Sequence, residues 1–413
     1  MGLHRRTLVQ GLTAAFATPA LAAGPDRDII AAMDFDEVWR TLDERYCFFH
    51  LKQTDWAKAR ALYRPRAIAA EDVDGFREVI RQLLAELYDP HTHVNTLPDG
   101  APRTPPFDIW AEWHDGRAMI FDVRHQSPAE TAGMRAGDRL VSVAGEPITE
   151  ATAVHRPRCL RRPDPEAEDY ALRAAVAGLR AQPRTIVAER GGRSMTFEIK
   201  ATPLPDEPAL SFRWLDGGFG YLRISTFSDD SVVEAWDRAL ATLKDAKGLI
   251  LDARRNGGGD TAVARPMMGR LIKTRTRYAY MRRRQGRGLS APWQEFVEPR
   301  GPFTYEGPVV VLTDRWSASM AEGFPMGLHG MGRARVVGTP MMQLGAAVFD
   351  CRLDRTGTNT QYSGEPVYDA MDRPRWLMRP DIEVTPSPAG DDNVLAAGVK
   401  ELMRLIGLGP GDR

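Results

Sequence analysis

Cysteine is scarce: Cys47, Cys159 and Cys351 are the only three in 413 residues. No Cys-x-x-Cys and no His-x-x-x-His spacing occurs, so neither a metal site nor a cofactor is expected. An odd number leaves at least one thiol unpaired within a monomer, and all three read as packing residues. Excess charge of either sign is also missing. Lys and Arg total 55, Asp and Glu total 55, and the formal net charge is +0. With no basic block, the electrostatic footprint of a nucleic-acid binder is absent. Beyond the N-terminal segment no apolar run reaches the ~18 residues of a membrane span. What remains is ordinary globular composition, 43% hydrophobic, in a chain long enough for about two or three domains.

The N-terminal segment has its own pattern. His4-Arg5-Arg6-Thr-Leu-Val-Gln10 precedes small apolar residues ending in Pro19-Ala-Leu-Ala-Ala23. This is the layout of a signal peptide over residues 1–22, with twin-arginine character and cleavage after Ala22. An ordinary Sec signal is the other reading. Either one predicts an exported protein, periplasmic or secreted.

Two loops carry chemistry. Val309 to Leu312 is an apolar run that reads as a buried strand, broken at Thr313-Asp314-Arg315 and followed by Trp316-Ser317-Ala318-Ser319-Met320-Ala321-Glu322. A serine at a tight corner leading into a helix meets free backbone N–H groups that favour developing negative charge. A serine there can also simply cap the helix. Upstream, Gly248 to Leu251 is a second short strand, entering Asp252-Ala-Arg254-Arg255-Asn256-Gly257-Gly258-Gly259-Asp260. No Gly-Lys-Ser/Thr follows these glycines, which excludes a phosphate loop. Consecutive glycines suit a backbone that turns sharply and exposes its amides.

Together these loops resemble the tail-specific, or carboxy-terminal processing, serine proteases. In that family a strand ends in Asp-x-Arg-x-Asn-x-Gly-Gly and a second strand leads to Ser-Ala-Ser-x-x-Glu. The family also carries an embedded PDZ domain. Here Ser127-Pro-Ala-Glu-Thr-Ala-Gly133-Met-Arg-Ala-Gly137-Asp138, followed by Leu140 to Val143 and a turn at Gly145, resembles the PDZ signature. PDZ domains add an extended peptide to a sheet edge. The partners implied are protein or peptide substrates held partly through this domain.

The organisation follows. Phe35, Val38, Leu42 and Tyr46 repeat at helical spacing, as do Phe76, Ile80, Leu83, Leu84 and Leu87, predicting an N-terminal helical region over residues 23–100. A Pro/Gly-rich connection from Leu97 to Pro106 leads to the PDZ domain at residues 105–203. A hinge, Pro203 to Pro208, leads to the protease core at residues 208–407. In the core, Phe219 to Ile224, a helix from Ser231 to Leu243, Gly248 to Leu251 and Val309 to Leu312 alternate strand and helix. That alternation predicts an α/β fold with a mainly parallel, covered sheet. The resemblance implies a crotonase-like α/β spiral core.

The resemblance also assigns roles. It makes Ser319 the nucleophile, with the amides of Gly259 and Met320 as oxyanion donors, and leaves Ser317 as a cap or turn residue. Bacterial members use a lysine as base, but the matching slot holds Leu344 beside the amide Gln343, and the only lysine after Ser319 is Lys400. The segment Leu87-Tyr-Asp89-Pro-His91-Thr-His93 resembles the branch that includes the tricorn core protease, which implies His91 as base. His93 is the reserve, pointing to the opposite side of a strand, and Asp89 either holds a histidine tautomer or caps the turn. That branch adds a glutamate near the C-terminal strand. Pro374 stands in its place, with Glu365, Asp369 and Asp372 as nearby acids. Asp252 with Arg255 is expected to brace the glycine loop, and Glu322 to be structural. The expected function is an exported serine endopeptidase. A non-catalytic peptide- or ligand-binding relative is the alternative, and a non-peptidase hydrolase using the same serine a weaker third.

Overall fold

The computed structural model describes residues 25–387 and 391–407, so the expected signal peptide lies outside the described residues. Three helices open the chain: α1 (Pro25–Arg45), α2 (Trp56–Ile68) and α3 (Val73–Ala85). Asp55 and Asp72 cap α2 and α3 by accepting the backbone N–H groups of Lys58 and Gly75, satisfying donors that a helix start leaves free. The apolar repeats read from the sequence face inward, with Phe35, Leu42, Tyr46, Phe76 and Leu83 fully buried. After α3 the chain turns through His91 into β1 (His93–Val94).

A β-rich unit follows: β2 (Ile109–His114), β3 (Arg117–Val123), α4 (Pro128–Thr131), β4 (Arg139–Val143), β5 (Glu146–Pro147), α5 (Ile148–Ala153), α6 (Pro165–Ala177), β6 (Arg184–Arg190) and β7 (Arg193–Ile199). Its sheet runs β2-β3-β4-β6-β7, with β5 on β4. Ser127 caps α4 through the N–H of Glu130, and Gly133 and Gly137 take positive φ of 94 and 89. Those are the turns the Ser127–Asp138 string requires. Helix α6 went unread in the sequence because its alanine-rich core side gives a weak apolar rhythm.

The remainder holds β8 (Leu210–Leu215), β9 (Phe219–Ile224), α7 (Ser231–Thr242), β10 (Leu249–Asp252), α8 (Thr261–Met268) and β11 (Thr276–Met281). A small hairpin, β12 (Arg284–Gln285) with β13 (Gly288–Leu289), precedes β14 (Trp293–Val297), β15 (Val309–Thr313), α9 (Met320–Gly330) and β16 (Arg335–Gly338). The chain closes with β17 (Ala346–Leu353), β18 (Thr358–Asp369), β19 (Ile382–Glu383) and α10 (Asn393–Leu405). The main sheet is ordered β19-β16-β15-β10-β9-β8. It is parallel from β19 to β9, and β8 is its antiparallel edge.

Both faces of this sheet are covered, which explains the unbroken apolar strands. Leu249, Leu251, Val309 and Val311 pack with Trp236, Met267 and Phe324 on one side. Ile250, Val310 and Leu312 pack with Val394 and Leu402 of α10 on the other. A second sheet, β1-β18-β11-β14 with β17 on β18, joins the N-terminal region to the core. Helix residues such as Leu42 and Phe76 share one apolar cluster with Ala346, Leu353 and Tyr362. That shared cluster carries the His91 turn into the core's neighbourhood.

Candidate active site

The serine corner is built by hydrogen bonds over a few consecutive residues. Asp314 accepts the backbone N–H groups of Trp316 at 3.0 Å and Arg255 at 2.9 Å. Ser317 is fully buried; its hydroxyl donates to Ala253 O at 2.9 Å and accepts the Asp314 N–H at 3.0 Å. It is a turn residue. Ala318 N–H donates to Asn256 O at 2.9 Å, tying the corner to the glycine loop. Under these restraints Ser319 takes φ 54 and ψ -115 at the start of α9. A serine in that left-handed region stores on the order of 1–3 kcal/mol of strain, so the corner holds the residue against its own preference.

The glycine loop lies against this serine. Asn256 is buried, with Oδ1 accepting the Gly258 N–H at 2.8 Å and Nδ2 donating to Ile224 O at 3.1 Å. Gly258 has φ 100, and a Cβ there would sit 2.7 Å from Ser319 Cβ and 3.0 Å from Met320 N. Gly259 has φ 138, and a Cβ there would sit 2.1 Å from the carbonyl carbon of Phe227. Both positions therefore require glycine. Among the described residues, the amides of Gly259 and Met320 donate to no protein acceptor. The structure thus brings Ser319, Met320 and the Gly258-Gly259 turn together. Gly258, the glycine that touches the serine, was not singled out in the sequence; only the run of three glycines signalled it.

Behind the serine is a buried carboxyl group. Glu322 is 0% exposed; its Oε1 accepts the N–H of Ser319 at 3.2 Å and of Leu344 at 2.8 Å, and its Oε2 has no partner. Burial pushes its pKa up to about 7, against the pull of the buried Arg375 guanidinium. Arg375 in turn donates to the carbonyl oxygens of Leu344 and Ala346, the latter at 3.1 Å. Leu344, in the slot that the resemblance gives to a lysine, is buried, and the Arg375 guanidinium cannot act as base.

His91 sits on a braced turn. Asp89 accepts the His91 N–H at 3.0 Å, the Thr92 hydroxyl at 2.8 Å and the Ser363 hydroxyl at 2.8 Å, and Gln361 donates to His91 O at 3.1 Å. Asp89 is therefore the cap of the turn. His91 is 6% exposed, and the buried Nδ1 of its imidazole has no hydrogen-bond partner. Burial lowers its pKa to about 4; Asp89 pulls upward, while Arg375 and His93 push further down. Among the described residues no hydrogen bond joins His91 to Ser319. His93 pairs with Gln361 across β1 and β18 and lines a separate cavity.

The remaining acids are engaged elsewhere. Asp369 holds Arg373 at 2.7 Å, Asp372 holds Arg282 at 2.7 Å, and Glu365 lies 3.6 Å from Arg283. Asp252 and Arg255 are each held by an ion pair: Asp252 binds Arg254 at 2.6 Å, and Arg255 reaches Glu207 at 3.0 Å. Arg255 has positive φ of 56. The three cysteines are free and buried, as packing residues should be. Among the described residues no helix is long and apolar enough to cross a membrane.

Comparison with known proteins places these features in context. Residues 218–384 match peptidase family S41, residues 31–85 the tricorn protease C1 domain, and residues 120–156 the PDZ domain. The chain is 27% identical over 230 residues to the carboxy-terminal processing protease CtpB of Bacillus subtilis, covering 54% of this chain and 43% of that protein. It is 27% identical over 246 residues to the chloroplastic C-terminal processing peptidase of Tetradesmus obliquus, covering 54% and 50%. The chain thus spans about half the length of the curated relatives it matches. Mature CPAF has the same fold with a TM-score of 0.63 at 17% identity, covering 92% of this chain and 98% of that one. The photosystem II D1 C-terminal processing protease does so with a TM-score of 0.55 at 19% identity, covering 91% and 97%.

Proposed function

We propose that this chain, which carries the peptidase family S41 core over residues 218–384, is an exported serine endopeptidase acting through an acyl-enzyme on Ser319. The observation that carries this reading is the strained Ser319 at a helix start, packed on glycines beside two unengaged amides. In the proposed sequence His91 takes the Ser319 hydroxyl proton as Oγ attacks the scissile carbonyl. The amides of Gly259 and Met320 hold the oxyanion. Collapse breaks the C–N bond, and the amine leaves with the proton returned by His91. Water then repeats the cycle on the ester and frees the acid.

Burial keeps His91 neutral at pH 7 and so able to take a proton, but a pKa lowered to about 4 makes it a weak base in the resting site, below the near-neutral value that suits general-base work. Catalytic hydrogen bonds often close only on substrate binding, so the lack of a His91–Ser319 hydrogen bond among the described residues is compatible with a site completed by its substrate. Export rests on the His4–Ala23 pattern. Delivery of unfolded or C-terminal segments rests on the PDZ match and on the largely exposed edge strand β7 of its sheet. The unpartnered Nδ1 of His91 favours one second reading, a peptide-binding relative without catalysis.

The test is digestion of an unfolded protein by the purified chain, with products identified by mass spectrometry. Internal cleavages present in wild type and absent in a folded Ser319→Ala variant support the peptidase. Stoichiometric peptide binding without cleavage by wild type supports the binding relative instead.

A further inference from the structure

A cavity of about 280 Å³ lies between α2 and α3 on one side and, on the other, the segment before β2, the loop after α5 and helix α6. Its wall is rich in arginine: Arg66, Arg81, Arg103, Arg156 and Arg158, against the acids Glu78 and Glu86. Both acids are already engaged. Glu78 grips Arg81 through two bonds of 2.7 Å. Glu86, 1% exposed, accepts the Tyr63 hydroxyl at 2.6 Å and the backbone N–H of Arg158 at 2.9 Å and Cys159 at 2.8 Å. Arg156 is paired outside the cavity with Glu168 at 2.8 Å.

Three guanidinium groups are left over. Among the described residues Arg66, Arg103 and Arg158 form no ion pair. Arg66 uses Nη2 on Gln82 at 2.7 Å, while its Nη1 is buried with no acceptor. Arg103 donates to Ala177 O at 3.0 Å; burial and the nearby Arg184 work against its charge, while Asp108, ion-paired with Arg184, favours it. Unpaired cations that converge on an open cavity, one with a buried donor lacking an acceptor, call for an anion. Guanidinium forks match the paired oxygens of phosphate and carboxylate groups. The volume lies just under the range of drug-sized pockets, roughly 300–1,000 Å³, and suits a small molecule.

We propose that this cavity binds a small polyvalent oxyanion, a phosphate or a di- or tricarboxylate, and that the bound ion straps the N-terminal helices to the PDZ region. The test is calorimetric titration of the full chain with inorganic phosphate and with citrate, at ionic strength held constant with chloride. The comparison is an Arg66→Gln/Arg158→Gln variant, with Arg158→Gln alone as a milder change at an exposed side chain. Saturable binding to wild type, weakened about tenfold or more in the double variant, supports the site. Absence of binding up to about 10 mM, or equal affinity in folded wild type and double variant, overturns it. Binding confined to peptides with a free terminal carboxylate, and lost on amidation, overturns it in favour of a peptide tail as the occupant.

Discussion

The two halves of the candidate site are built differently. On the nucleophile side two short segments, Asp252–Asp260 and Asp314–Glu322, bond to each other's main chain, with further bonds from Ile224, Phe227, Met342 and Leu344. On the base side the turn is well braced, yet the imidazole itself is held by burial alone, with Nδ1 unpartnered and Arg375 adding a repelling charge. The difference teaches that the proposed nucleophile and oxyanion donors are prearranged, whereas the protonated form of the proposed base has no carboxylate bonded to it to stabilise it. An active enzyme must then supply that stabilisation when the site closes on substrate.

The sharpest way to break the comparison is to damage the prearranged half. Gly258→Ala would drive a methyl group against Ser319 Cβ and Met320 N. A shift of the serine by about an ångström is expected to cut kcat/KM by about 100-fold, measured on a fluorogenic peptide with folding checked by circular dichroism. Activity near that of wild type would mean that the loop is not positioning the serine.

Next in size is Glu322. Its folded pKa, about 7, stands above the ordinary 4.5. The folded state therefore holds the proton more tightly, so this contribution to stability is full below the ordinary carboxyl range and is lost as pH rises through about 7. Glu322→Gln cannot ionise and can still accept the Ser319 and Leu344 N–H groups through its amide oxygen. Relative to wild type it should gain on the order of 3 kcal/mol between pH 4 and pH 8. Urea denaturation at both pH values measures this, and parallel curves would remove the buried, proton-holding carboxyl from the account.

The smallest effects belong to the acids near the C-terminal strand. Asp372→Asn should lower kcat by less than about twofold, because its carboxylate is half-exposed and occupied by Arg282. A loss of about 100-fold or more at Asp372 or Glu365 would identify the missing partner of His91 and reverse the contrast between the two halves.

Legibility in the sequence follows the same division. Strands β9, β10 and β15 and helix α7 were readable because covered parallel strands are unbroken apolar runs and α7 repeats at helical spacing. Ser319 and the glycine run were readable because local main-chain geometry fixes residue type at consecutive positions. The strands of the second sheet were not, since β11, β14, β17 and β18 mix polar and apolar residues and find partners far along the chain. Arg375 was equally hidden: nothing in Arg373-Pro-Arg375-Trp separates the buried arginine from its exposed neighbour, and only tertiary packing does so. The ion-pair partners of Asp252 and Arg255 were also hidden, since the sequence does not single out Arg254 and Glu207 lies far along the chain.

The central claim, that Ser319 is activated by a buried neutral His91, is tested most directly by the rate of fluorophosphonate labelling as a function of pH. Wild type, Ser319→Ala and His91→Gln are compared, each confirmed as folded. The account predicts labelling of wild type at Ser319 alone, with an acid limb centred near pH 4, and loss of labelling in both variants. A limb near the ordinary histidine value of about 6.5, or undiminished labelling of His91→Gln, would contradict it.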